Sequence, residues 1–161
     1  MILDNSLMFD GRLTGTFAPI TVTRDSQDIV DVGILGRNGG GRDMGIGTDI
    51  YLLLQSSRLF AGGTSVTIAF QGAPDNGSGA EGTYVTYAQT PAITLAELNL
   101  APGMLFPITL PRPPFGAVIP RFYKLVYTVA GIFTAGGVIA GLVLNRDDGI
   151  AYPSGFSTAG I

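Results

Sequence analysis

Four places in this chain hold residue types or spacings that chemistry could use. Arg146-Asp147-Asp148 sets two carboxylates beside a guanidinium, the raw material of a glycosidase pair. They fall within Asn145-Arg146-Asp147-Asp148-Gly149, which has the composition of a solvated turn, and a turn is the better account. Asp75-Asn76-Gly77-Ser78-Gly79 with Glu81 offers hard oxygen ligands of the kind calcium takes, without EF-hand spacing, so a calcium ion there stays an open question. Asp25, Asp28 and Asp31 recur at every third residue but straddle a turn and a strand, so they cannot share one face as they would on a helix. Gly45-Ile46-Gly47 is a lone G-x-G. Three past Gly47 stands Ile50, so the dinucleotide fingerprint fails, and no G-K-[ST] supplies a phosphate loop.

Histidine and cysteine are both absent. That removes the commonest general base, the thiol nucleophile and the main transition-metal ligands together. Glutamate occurs only at positions 81 and 97, which discourages a carboxylate-dependent glycan hydrolase. The expectation is a protein that is not an enzyme and needs no cofactor.

The elements around these residues are short and alternate. Tyr123, Leu125, Tyr127 and Val129 fall on one side of a two-residue period, with Lys124, Val126 and Thr128 on the other. Residues 125–144 carry no charge, and by length alone they make a membrane-span candidate, with Gly137-x-x-x-Gly141 as a helix-dimer motif. Four glycines and many β-branched residues argue instead for two strands around a Thr134-Ala135-Gly136-Gly137 turn, a hairpin. Further strands are predicted at 20–23, 29–32, 50–54, 65–70, 83–87 and 106–110, the last closed by Pro111, Pro113 and Pro114. Residues 24–28 and 72–82 read as turn and loop. Thr94 and Glu97 have the spacing of a capping box, which predicts one helical turn over 94–98. Strands this short and this closely spaced give an all-β sandwich or barrel.

Charged residues make up 13% of the 161, about half the usual ~25%, and there are 24 glycines. With 46% apolar content this is not the balance of a disordered chain; it suits a β-domain whose surface is committed to other protein. Net charge is −3 and the arginines are scattered, so no basic footprint for nucleic acid exists. Lys124 is the single lysine, and arginine's planar fork suits interface pairs better than an ammonium does. The N-terminus lacks the pattern of a secretory signal, and neither nucleic acid nor membrane is an expected partner.

Three segments, in order, resemble a family of tailed-bacteriophage capsid cement (stabilising or decoration) proteins. The first is Met1-Ile2-Leu3-Asp4 with Leu7 and Phe9. The second is Arg42-Asp43-Met44-Gly45-Ile46-Gly47 ahead of Tyr51-Leu52. The third runs Leu125, Tyr127, Val129, Gly131, then Thr134-Ala135-Gly136, then Ala140-Gly141-Leu142-Val143. The resemblance implies a jelly-roll-like β-sandwich over residues 20–150, with an extended N-terminal arm over 1–19 and a tail over 151–161. It implies a virion protein on the capsid exterior, made in the host cytoplasm, that clamps neighbouring major capsid protein subunits and associates with itself as a homodimer or homotrimer. Another β-sandwich virion component, of tail or baseplate, is the alternative.

Ile2, Leu3, Leu7 and Phe9 are apolar outside any regular strand pattern, which suggests docking anchors. Arg42 and Asp43 cannot pair well as sequence neighbours, so each is expected to reach a different partner across a loop or subunit boundary.

Overall fold

In the computed structural model, residues 4–11, 18–33, 50–100, 108–109 and 119–143 are described. Among them are ten strands: β1 (Met8–Asp10), β2 (Arg24–Asp25), β3 (Val30–Asp31), β4 (Tyr51–Gly62), β5 (Ser65–Ala73), β6 (Val85–Gln89), β7 (Ile93–Thr94), β8 (Ile108–Thr109), β9 (Phe122–Ala130) and β10 (Phe133–Val143). A single helical turn, α1 (Leu95–Leu98), follows β7. Two antiparallel sheets result. One runs β1-β10-β4-β8; the other runs β2-β9-β5-β6, with β3 also on β9 and β7 also on β5. The expected all-β sandwich is the fold.

Its frame is one long antiparallel ribbon folded over on itself. β4 pairs with β10 in the first sheet, and their continuations β5 and β9 pair in the second. Both strands of the ribbon therefore cross between sheets at the same end, β4 to β5 through Gly62-Gly63 and β9 to β10 through Gly131-Ile132. This paired crossing gives the sandwich its jelly-roll character. The two corners touch. Gly62, Gly63 and Gly131 all have positive φ, and a Cβ on Gly62 would lie 2.7 Å from the Ile132 carbonyl oxygen, so the bend requires glycine.

This arrangement corrects the expected hairpin. The strands over 125–144 exist, and Tyr123, Leu125 and Tyr127 are buried as the alternation predicts. They lie in opposite sheets, however, and turn at Gly131-Ile132. Thr134 to Gly137 sit inside β10, where successive register shifts against β4 absorb the small residues as bulges. Gly136, at φ 143°, lies under the Phe60 ring. No helix of the described residues is long and apolar enough to cross a membrane.

Between the sheets lie Phe9, Ile20, Leu52, Leu54, Phe60, Val66, Ile68, Phe70, Leu125, Tyr127, Phe133, Val138 and Leu142, with others. Phe70 stacks on Tyr123 at 5.3 Å and meets the edge of Phe9 at 6.3 Å, while Phe60 and Phe133 pack edge to face at 5.6 Å beside the crossover. Phe9 thus belongs to the core, which corrects its reading as a docking anchor. β1 is a true edge strand on β10, and the Phe9 carbonyl also accepts the Asp28 N–H at 3.0 Å, closing the sandwich along that side. Part of the expected extended arm is therefore built into the sheet.

Other boundaries shift. Residues 24–25, expected in a turn, form β2, while 21–23 are bends, and β4 runs well past residue 54. The capping box at Thr94 and Glu97 forms as predicted and starts α1.

Candidate interaction surface

Away from the crossover, several charged residues of the described chain brace one another. Arg121, just ahead of β9, donates through Nε and one terminal nitrogen to both oxygens of Asp31, at 2.8 and 2.7 Å. Its other terminal nitrogen holds Asp75 Oδ2 at 2.5 Å. A planar fork serving two carboxylates ties β3, the 74–82 loop and β9 together. The Arg121 hydrogen bond, with the Gly77 and Gly79 N–H groups, holds the Asp75 carboxyl below the usual carboxylate range, and the same two aspartates push Arg121 up. Beside this brace, Lys124 Nζ reaches Asp25 Oδ2 at 2.6 Å and sits 4.1 Å over the Tyr84 ring. Asp25 and Asp31 thus go to different partners, as their spacing implied.

The 75–81 loop answers the calcium question in terms of donors. Asp75 Oδ1 accepts from the N–H groups of Gly77 and Gly79 at 2.7 and 3.0 Å, and Asn76 Oδ1 accepts from the Ser78 N–H and hydroxyl at 2.9 and 2.7 Å. Donors already occupy both Asp75 carboxylate oxygens and Asn76 Oδ1. No group of three or more metal-ligating side chains occurs among the described residues.

One charged cluster is internal. Asp10, 1% exposed, accepts from the Tyr127 hydroxyl at 2.7 Å on one oxygen and from Arg24 at 2.9 Å on the other. Arg24 also donates to the Ala18 and Asp25 carbonyls, and its guanidinium lies 5.0 Å over the Tyr127 ring. Burial pushes the Asp10 carboxyl above its ordinary value, opposed by the Tyr127 hydrogen bond and by Arg24. Burial, then the Asp10 charge, pushes the Tyr127 hydroxyl well up, so it remains a donor. The triad fastens β1 to the opposite sheet.

The crossover end has the opposite character. Val22 is 58% exposed, Leu59 74%, Leu100 68% and Ile132 77%, so four of the seven large exposed apolar side chains among the described residues lie there. Three hydrogen-bond links bring them together. Thr21 accepts from the Phe133 N–H at 3.3 Å, setting Val22 beside the Ile132 corner. The Asn99 side chain donates to and accepts from the Phe60 backbone at 2.8 Å each, setting Leu100 by Leu59. Leu95 N–H bonds the Thr64 carbonyl at 3.0 Å, anchoring α1 to the β4–β5 corner. Thr21, Thr23, Ala61, Thr64, Thr134 and Ala135 flank them in sequence or along the strands, and Arg24, Arg58 and Glu97 are the charged residues next to them in the chain. Scattered exposed apolar residues are ordinary; four gathered at one end make it a candidate contact surface.

Of the residues expected to meet a partner, Phe9 is in the core and Leu7 is half-buried against it. Ile2, Leu3, Arg42 and Asp43 lie outside the described residues, as do the Gly45-Ile46-Gly47 turn, Asp147-Asp148 and the 151–161 tail. Sequence reasoning passed over Leu59 and Ile132. The signal it had was positional, since each is a large apolar residue within three positions of a corner glycine.

No curated protein matches the chain. A family model, Bbp16, matches residues 16–142, which takes in every described strand but β1 and the last residue of β10. With most of its length covered by that match, the chain belongs to the Bbp16 family.

Proposed function

We propose that this protein is a structural component of a phage virion, a cement protein that binds the outside of the head and clamps neighbouring major capsid subunits. The observation that carries the proposal is the polarity of its surface. The crossover end exposes Val22, Leu59, Leu100 and Ile132, apolar as protein contacts are at their centres, while elsewhere Arg121 and Lys124 are held by Asp31, Asp75 and Asp25. Membership of the Bbp16 family and the likeness of three ordered segments to cement proteins point the same way. A protein that binds only the assembled lattice stabilises it by mass action, and many copies with modest contacts add through multivalency.

The test is to mix the purified chain with heads that lack it and separate bound from free by sedimentation. Decoration of expanded heads, with a raised temperature of head disruption, is the expected result. Binding to tails or baseplates with bare heads would assign it to another part of the virion, and binding to neither would refute a virion role on the outside of the particle.

A further inference from the structure

We infer that Asn76-Gly77 is a self-modifying site, where the folded 75–81 loop promotes loss of ammonia from the Asn76 side chain through a cyclic imide.

The reaction needs a nucleophile, an electrophile, and a place for the proton and the charge that move. The nucleophile is the Gly77 backbone nitrogen, and the electrophile is the Asn76 amide carbon, Cγ. A glycine after the asparagine leaves the approach clear of any Cβ. The chain holds two such pairs, Asn38-Gly39 and Asn76-Gly77, and the second lies among the described residues.

Three features of the loop serve this chemistry. Asp75 Oδ1 accepts the Gly77 N–H at 2.7 Å, so a carboxylate already sits on the proton that the nucleophile must lose. Asn76 Oδ1 accepts from the Ser78 N–H at 2.9 Å, the Ser78 hydroxyl at 2.7 Å and the Ala80 N–H at 3.4 Å. Donors therefore stand where negative charge develops when Cγ is attacked. The bond from Ser78 N–H to Asn76 Oδ1 also closes an Asx turn, a ring that contains both Cγ and the Gly77 nitrogen. It holds the side chain curled back toward the nitrogen that attacks it. The frame around these atoms is fixed. Asn76 N–H bonds the Ala80 carbonyl at 3.0 Å, Gly82 N–H bonds the Pro74 carbonyl at 2.8 Å, and Arg121 holds the second oxygen of Asp75.

Each atom is accounted for. Gly77 N bonds to Asn76 Cγ, its proton passes by way of Asp75 to Nδ2, and the Cγ–Nδ2 bond breaks to release ammonia. Water then opens the imide at either carbonyl. Opening at Cγ leaves aspartate, and opening at the main-chain carbonyl leaves isoaspartate, with the backbone routed through the side chain. Either product adds a negative charge beside Asp75 and near Glu81, and isoaspartate also lengthens the backbone inside the Asx turn. Loosening of the loop that Arg121 braces thus follows the age of the folded protein.

The test follows Asn76 and Asn38 by peptide mass mapping that separates aspartate from isoaspartate, in the full chain at neutral pH, folded and in guanidinium chloride. The two pairs in guanidinium supply the rate of an unstructured Asn-Gly. Asn76 is expected to react faster in the folded chain than in guanidinium. Asp75→Ala and Ser78→Ala, each at unchanged circular dichroism, are expected to slow it by roughly threefold or more, short of the hundredfold of a buried oxyanion hole because the loop is exposed. Both substitutions also free the loop, so if mobility alone set the rate they would speed the reaction instead. A folded chain that reacts more slowly than the unfolded one overturns the inference, as does either variant in which Asn76 reacts as fast as in the parent or faster.

Discussion

Removing one oxygen from the core tests how β1 is held. Tyr127→Phe keeps the ring, which packs fully buried between the sheets, and deletes only the hydroxyl that donates to Asp10 at 2.7 Å. A hydrogen bond to a charged group contributes about 1.5–3 kcal/mol, and Asp10 keeps Arg24 at 2.9 Å, so the carboxylate is not orphaned. The expected loss is therefore about 2 kcal/mol at neutral pH, or roughly 4–8 °C in melting temperature for a domain of this size.

Its pH dependence is the sharper test. Burial raises Asp10 above 3.8, so the folded state binds its proton more tightly than the unfolded chain does. Ionised Asp10 subtracts stability at neutral pH, and that loss is recovered as pH falls through its raised folded value toward 3.8. Without the Tyr127 donor the carboxylate is still less favoured, so the deficit of Tyr127→Phe is largest near neutrality and shrinks on acidification. Urea unfolding of both proteins at neutral pH and at about pH 4.5, at one fixed protein concentration, measures it. A deficit under about 0.5 kcal/mol at neutral pH, or one that grows as pH falls, would refute the triad as the fastening of β1.

Three further outcomes are expected. Phe9→Ala costs about 3–5 kcal/mol in chemical denaturation because it empties a core site against Phe70; a change confined to partner binding would restore its role as an anchor. Gly136→Ala forces a methyl into the Phe60 ring at a φ that side chains avoid, lowering stability by about 2 kcal/mol, and a silent substitution would show that the β10 bulge is not fixed there. Arg121→Ala frees the 75–81 loop, read as faster amide exchange at Gly77 and Gly79 with the core strands unchanged. In the parent protein Asp75, held below 3.8 chiefly by Arg121, keeps that loop braced above this pH and releases it only as pH falls through its lower folded value.

What was legible in the sequence was local. The alternation through Tyr123, Leu125 and Tyr127 fixed which faces of β9 are inward, and the spacing of Thr94 and Glu97 located α1, because both are determined by near neighbours. Sheet membership was not legible. Gly131 and the Gly136-Gly137 pair are equally good turn material, and only the opposing corner at Gly62-Gly63 decides that the chain folds at the first and bulges at the second. β4 runs through Gln55-Ser56-Ser57-Arg58 without an apolar pattern because β10 supplies its ladder. Nothing near Asp10 in the sequence marks it for burial, because its hydroxyl partner is Tyr127, 117 residues away. The contact surface was missed for the same reason, since Val22, Leu59, Leu100 and Ile132 come from four separate stretches that only the finished crossover brings together.

The seating of β1 also sets a schedule for the nascent chain. Met8 pairs with Gly141, and Phe9 is held on its other side by Asp28, so β1, the first of the described strands, has no completed slot until β10, the last of them, has left the ribosome. Pairings this distant in sequence are slow to form, because the loop must close before any contact rewards it. Until then the strands of the long ribbon stand with an open border and an uncovered Phe70. A chain stalled short of β10 would expose apolar strand edges of the kind that aggregate, so the delivery of β10, and not final stability alone, bears on how much of this protein reaches the folded state.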